Sequence, residues 1–289
     1  MNTSAMAMAE RVRGDDGGTP RQGVGSDVDR PHLTPDRSLR AGLAAAAASM
    51  TLLGWWVLRA PFVGLADNGD WGRYSCPNGL HGRVQFARLP ATLVGEACPA
   101  YDYRSTFTGF LGLFARVDTA VSGAVHLSHL AVFWCLVVSV GWGWFTYELA
   151  RATSRPGRAL AMSVAMIAVS SDVIFSSYFG SIYAEALIIA LVPALAAALV
   201  RLVRSDRLDA PTVAVAALLL VAVTDAKPSM ALTAPLFVGV VVVARWGRLA
   251  PRQVAIAAVF ALALSLFSFT AIADPTFTEW NTYNLAFTV

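Results

Sequence analysis

The stretch from Ala124 to Arg158, AVHLSHLAVFWCLVVSVGWGWFTYELARATSRPGR, decides what kind of molecule this is. Its first part, Ala124 to Tyr147, is almost wholly apolar, and about 20 such residues in a helix cross the hydrocarbon core of a bilayer. Arg151, Arg155 and Arg158 follow at once in a short polar loop. Loops rich in Lys and Arg stay on the cytoplasmic side, so this segment reads as a membrane helix whose C-terminal end faces inward.

Working outward, the same pattern recurs along the chain. Apolar runs lie at Ala41 to Leu58, Ala159 to Phe179, Ile182 to Val200, Ala210 to Thr224, Pro228 to Ala244 and Gln253 to Ala273. With Ala124 to Tyr147 they make seven candidate spans. The fifth and sixth are short and joined by a tight Asp-Ala-Lys-Pro turn, so a re-entrant pair is the competing reading there. Arginine marks every second connection. Arg30, Arg37 and Arg40 precede the first span; Arg201, Arg204 and Arg207 follow the fourth, and Arg245, Arg248 and Arg252 the sixth. The expected fold is therefore an all-α membrane protein of about seven transmembrane helices, with the N-terminus inside and the C-terminus outside.

Composition agrees. The chain is 56% hydrophobic and 14% charged, with a mean hydropathy of +0.56, whereas soluble domains carry about 25% charged residues. Of its 22 basic residues only Lys227 is lysine, a bias typical of a GC-rich bacterial genome. Residues 1–38 are polar, rich in Gly, Asp, Arg, Ser and Pro, and without apolar periodicity, so a disordered cytoplasmic tail is expected there. That tail is too long and polar to begin a cleavable signal peptide. The remaining residues, 39–289, form the expected polytopic domain.

The topology places a large loop, about 61–123, outside. Acidic and basic residues near the membrane then fall into one outer layer: Asp67, Asp70, Asp172, Glu185, Asp225, Lys227 and Asp274. Each alone is an ordinary helix-end charge, but their convergence from five segments suggests a pocket at the outer leaflet. Phe107, Phe110, Leu111, Phe114, Val117 and Val121 recur at helical spacing, with Arg104, Arg116 and Asp118 beside them. This predicts an amphipathic helix lying in the interface, or an ordinary helix packed on the bundle. Cys76 and Cys98 share the loop in an oxidising compartment and are a candidate disulfide. Cys135 lies inside the second span and reads as a small core residue.

The densest polar segment is Ala66-Asp67-Asn68-Gly69-Asp70-Trp71-Gly72-Arg73, just past the first span. Two carboxylates three residues apart in a glycine turn suit general-base chemistry, which needs a carboxylate within hydrogen-bond reach of the attacking hydroxyl. A calcium loop of the EF-hand type is excluded, because Ser75 stands where that pattern needs Glu. No metal site is assigned. Paired Asp side chains leave a divalent cation open as an addition.

These segments resemble the polytopic glycosyltransferases of the GT-C type, which use polyprenyl-phosphate-linked sugars, and most nearly the bacterial glycan-biosynthesis hexose transferases. The Asp-Asn-Gly-Asp-aromatic run at Asp67 to Trp71 is similar to theirs. So are Tyr178, Phe179, Ser181, Tyr183 and Glu185, the Lys227-Pro228 turn, and Tyr283, Asn284 and Phe287. The resemblance implies transfer on the outer face of the bacterial inner membrane, with inversion at the anomeric carbon. Asp70, or Asp67, would be the base; Tyr178, Tyr183 and Glu185 would bind sugar hydroxyls. Lys227, Arg73 and Arg104 would hold the lipid phosphate. The implied partners are membrane lipid, a polyprenyl-linked sugar and a cell-envelope glycan acceptor, with no separate cofactor.

GT-C enzymes by this resemblance have about ten or more spans, so a chain ending at Val289 is expected to be a truncated or shortened member. Two other classes compete. A transporter or flippase would show ionisable or Gly/Pro-broken positions at mid-membrane, whereas here Pro193 and Pro235 are the main interruptions. A non-catalytic subunit packed against a partner membrane protein would keep the architecture without the chemistry. No nucleotide-binding loop or nucleic-acid-binding pattern is present.

Overall fold

A computed structural model describes residues 35–59, 74, 76–78, 80–81, 92–95, 104–205 and 207–271. The chain divides into Met1–His32, which lies outside the described residues, and a compact unit from Leu33 to Val289. Among the described residues the unit is helical apart from one small sheet. The principal helices are α1 (Pro35–Leu58), α2 (Thr106–Ser122), α3 (Leu127–Thr153), α4 (Pro156–Ser170) and the single turn α5 (Val173–Ser176). They continue with α6 (Ala184–Arg204), α7 (Ala210–Thr224), α8 (Thr233–Ala244) and α9 (Pro251–Ala271).

Every predicted apolar segment is helical, but their lengths differ. Four helices, α1, α3, α6 and α9, are long and apolar enough to cross a membrane. A fifth span is reached if α4 is counted with its continuation to Gly180, which is bent by 71°. The predicted third span is therefore broken near Ser170. The Ser171 N–H closes α4 onto Ile167, and Asp172 then caps a new turn by accepting from the Ile174 N–H at 2.9 Å. Helices α4 and α7, of 15 residues each, rise only about 22 Å at 1.5 Å per residue, short of the ~30 Å hydrocarbon core.

Small residues set the helix crossings. A Cβ on Gly42 would come within 2.7 Å of the Gly143 carbonyl oxygen, and one on Gly143 within 3.1 Å of Ala46 Cβ. Ser139 donates to Ser49 across the same seam. Thus α1 and α3 run antiparallel at close approach, the usual solution where lipid is as apolar as leucine and burial alone cannot drive association. Gly141 likewise receives Pro193 and Ala194 of α6. Pro193 sits inside a continuous helix, packed on that glycine. Large side chains including Leu136, Val140, Leu218, Leu236, Val243 and Leu262 point outward. Such a girdle suits a lipid solvent and would be an aggregation surface in water.

Contacts fix which termini share an end. Glu148 of α3 meets Arg201 and Arg204 of α6, so these two helices are parallel. Arg245 donates to the Leu202 and Ser205 carbonyls at that same end. At the opposite end Ser268 of α9 donates to Thr224 at 2.6 Å, and Thr106 of α2 donates to Ala222 at 2.8 Å. Arg151, Arg201, Arg204 and Arg245 therefore gather at one end of the bundle, away from Glu185 and Lys227.

The amphipathic helix exists as α2 but is rotated relative to the predicted face. Phe107, Leu111, Ala115 and Asp118 are buried, whereas Val117 and Val121 are 57% and 82% exposed. Ser105 and Thr108 form a capping box at its start, and Gly123 ends it with φ +82°, a left-handed conformation that only glycine adopts freely. A three-stranded antiparallel sheet, unanticipated from sequence, joins β1 (Leu80–His81), β2 (Thr92–Gly95) and β3 (Val125–His126). Its register pairs Leu80 with Gly95 and Thr92 with His126, tying the segments at 80–81 and 92–95 to the start of α3.

Candidate functional site

Two backbone features build the site at the Glu185 end. The turn Ser177–Gly180 and the extended Ser181 reverse the chain, held by Ser181 Oγ donating to the Ser177 carbonyl at 2.9 Å. Phe179 and Ile182 are fully buried and anchor this reversal in the core. Tyr183 then becomes the N-cap of α6 and Glu185 falls in its first turn, where the helix dipole favours a carboxylate. On the other side, Lys227 precedes Pro228, which opens a short turn in place of a continuous helix between α7 and α8.

These two features meet. Lys227 Nζ donates to Glu185 Oε1 at 2.5 Å, bridging residues 42 apart in sequence. Both side chains keep about a quarter of their surface exposed, 26% and 27%, so the pair is reachable from outside. The second oxygen, Glu185 Oε2, is buried without a hydrogen-bond partner. The Tyr178 and Tyr183 rings pack edge to face, 6.1 Å apart. Beside them the Thr106 N–H donates to Asp225 Oδ2 at 2.9 Å. Burial pushes the Asp225 carboxyl above its ordinary range, and that N–H bond offsets part of the rise. Arg104 lies two residues before Thr106, on the exposed approach to α2.

Of the predicted site residues, Tyr178 meets Tyr183 and Glu185 meets Lys227, with Asp225 in the same turn as Lys227. Asp172 serves only as a local cap. Asp67, Asp70, Arg73, Cys98 and Asp274 lie outside the described residues. Cys76 is disulfide-bonded and Cys135 is free and buried. Next to Cys76 the loop is pinned on α2: Tyr74 packs edge to face on Phe107 at 5.2 Å, and Asn78 Nδ2 donates to the Thr108 carbonyl at 2.9 Å. Asn78 also lies so close to Gly112 that a Cβ there would approach its Oδ1 to 2.2 Å.

An apolar groove of about 510 Å³ opens among α1, α3, α4 and α6, lined by Leu53, Trp142, Met166, Phe179, Ile189 and Pro193 among others. Phe179 connects it to the polar layer, since Tyr178 is its neighbour in the chain.

A family model described as the YfdI N-terminal transmembrane domain matches residues 36–288. The chain belongs to this family. It is a family of membrane domains associated with glycosyltransferases. No curated protein and no solved structure matches the chain.

Within this YfdI-type domain two further polar clusters escaped the sequence reading. Glu148, fully buried in α3, accepts from Arg204 Nη2 at 3.0 Å and from Arg201 Nη1 at 3.5 Å. A single Glu near the end of an apolar run reads as interfacial; Trp144 Nε1 of its own helix donates to it at 3.4 Å, and the parallel packing of α3 on α6 supplies its charged partners. The second cluster is Asp118, His126 and His129, where α2 turns into α3. The His126 N–H donates to Asp118 Oδ2 at 2.6 Å, and His129 Nδ1 lies 2.7 Å from Oδ1. Burial by itself would raise the Asp118 carboxyl, but the His126 N–H, the His129 ring and the Ser122 hydroxyl outweigh it and hold it below its ordinary range. The readable trace was the His-x-x-His spacing at the head of a span.

Proposed function

We propose that this YfdI-type domain is the membrane part of an inverting glycosyltransferase that moves a sugar from a polyprenyl-phosphate carrier to a cell-envelope glycan on the outer face of the inner membrane. The observation that carries the reading is the Glu185–Lys227 pair, a half-open ion pair beside two tyrosines at the end of the bundle opposite the arginines. The gathering of arginine at the other end supports seven crossings with the N-terminus inside, the short helices α4, α7 and α8 crossing in a bundle rather than alone.

In this reading the acceptor hydroxyl attacks the anomeric carbon as the bond from that carbon to the phosphate oxygen breaks. Asp70, or Asp67, accepts the hydroxyl proton. The carrier leaves as polyprenyl phosphate, and Lys227, Arg73 and Arg104 stabilise its developing charge. Glu185, Tyr183 and Tyr178 orient sugar hydroxyls. The apolar groove below Tyr178 offers the prenyl chain a surface of its own chemistry. No resident cofactor enters this scheme.

The test is transfer of labelled sugar from a polyprenyl-phosphate donor in membranes carrying the chain, as isolated with whatever it assembles with. Asp70→Asn is expected to abolish transfer while expression and melting stay at wild-type values. Transfer at the wild-type rate in both Asp70→Asn and Asp67→Asn would overturn the catalytic reading and leave a non-catalytic subunit.

A further inference from the structure

The corner between α2 and α3 holds chemistry that sugar transfer does not use. Asp118, on the last turn but one of α2, is buried to 8% side-chain exposure, yet both its oxygens face imidazole nitrogen. His129 Nδ1 stands 2.7 Å from Oδ1, and His126 Nδ1 stands 3.7 Å from Oδ2. The two rings lie 4.7 Å apart, and one ligand atom from each of the three residues falls within 4.8 Å of the others.

We infer that Asp118, His126 and His129 form a binding site for a divalent transition metal, with zinc the ion best suited to the donor set. Two imidazoles and one carboxylate are the ligand types of zinc sites that leave a fourth position to water. Tetrahedral bonds of about 2.0–2.1 Å separate ligand atoms by about 3.3 Å. His129 Nδ1 is closer than that to Oδ1, as its hydrogen-bond partner at 2.7 Å, and His126 Nδ1 is farther from Oδ2 at 3.7 Å, so an ion would replace the hydrogen bond and draw both imidazoles round it by side-chain rotation. The carboxylate is already held from behind: the His126 N–H donates to Oδ2 and Ser122 Oγ lies 3.2 Å from Oδ1. Such contacts orient a ligating carboxylate. Ser122 Oγ also lies 3.1 Å from His126 Nδ1, a contact that ligation through this nitrogen would replace. A carboxylate that only capped the start of α3 would need the backbone N–H alone; it would not need two imidazoles converging on it.

Asp118 comes from α2, His126 from β3 and His129 from the first turn of α3, across a tight Gly123 turn, so the ion would clamp α2 against the start of α3. This inference does not rest on the sugar-transfer reading. To test it, the full chain is purified in detergent, its affinity tag is removed, and it is stripped with chelator and dialysed against zinc. Wild type should retain about one zinc per chain and melt at a higher temperature with zinc than without. His129→Ala should lose at least tenfold in zinc affinity and show no zinc-dependent melting shift. A His32→Ala, His81→Ala double variant should behave as wild type. Asp118→Asn should match His129→Ala; if it fails to fold, His129→Ala alone decides. Absence of zinc from wild type, or equal affinity in His129→Ala, would overturn the site.

Discussion

The two ends of the bundle use the same ingredients, one glutamate and basic side chains on neighbouring helices, in opposite ways. At the arginine end Glu148 is fully buried and both its oxygens are engaged by guanidinium groups. At the other end Glu185 meets a single lysine, both side chains are partly exposed, and among the described residues one carboxylate oxygen has no partner. A carboxylate saturated by two cations is fixed in place and has nothing to offer a ligand. One that is half satisfied and accessible retains bonding capacity. The difference separates a lock from a site.

The comparison breaks first at the lock. Glu148→Ala should destabilise the domain by about 3 kcal/mol, the lower part of the range for removing one partner of a buried pair, because both guanidiniums still reach water. Thermal or denaturant unfolding in detergent measures it, and a change below about 0.5 kcal/mol, the size expected of ordinary surface substitutions, would mean that the arginines are solvated without Glu148. Next comes the seam between the two ends. Gly42→Leu should cost about 1–3 kcal/mol as an overpacked crossing, since its side chain meets the Gly143 backbone and not a movable side chain. Gly54→Leu on the same helix, where a Cβ meets open space, should be close to neutral.

At the open end the expected ranking inverts between stability and activity. Lys227→Met should change stability by less than about 1 kcal/mol, as a partly exposed pair does, while sugar transfer falls on the order of 100-fold, as when one donor to developing charge is removed. Equal losses in melting and transfer would make this pair a second lock. The smallest effect concerns Asp209, the N-cap of α7, which accepts from the Thr212 hydroxyl and N–H and faces Arg201. The Thr212 hydroxyl, the Thr212 N–H and Arg201 together hold its carboxyl below the ordinary 3.8 against a smaller opposing effect of burial. Its stabilising contribution is therefore complete above pH 3.8 and is lost as the pH falls through the lower folded value. Asp209→Asn should flatten that acid limb of the unfolding curve and lower neutral-pH melting slightly, because the contribution of the carboxylate is missing there while Asn still caps the helix.

Much of the fold was legible in the chain because lipid imposes strong rules: a crossing helix must be largely apolar, and arginine is concentrated in the connections on one side. The seven apolar segments and the grouping of arginine follow from those rules alone. Less legible were the break at Ser170 and the rotation of α2. In a helix with apolar residues on more than half its circumference, the inward face is chosen by its partners. Here Tyr74, Asn78 and His129 draw Phe107, Gly112 and Asp118 inward and leave Val117 and Val121 outside. Glu185, Asp225 and Lys227 were readable as polar residues at neighbouring helix ends. That Glu185 meets Lys227 and Tyr178 meets Tyr183 was not readable, because such pairs depend on how α6 sits against the turn between α7 and α8.

By itself the sequence determined that this is a helical membrane protein, where its apolar segments lie and where arginine clusters between them. These are one-dimensional properties, set by hydropathy and charge along the chain. Only the tertiary structure decided which charges became locked and which stayed open. It also decided that Asp118 and two histidines converge, because a partner across a helix interface depends on crossing angle, rotation and the small residues that let backbones meet. Those are properties of pairs of segments and are not written in either segment alone.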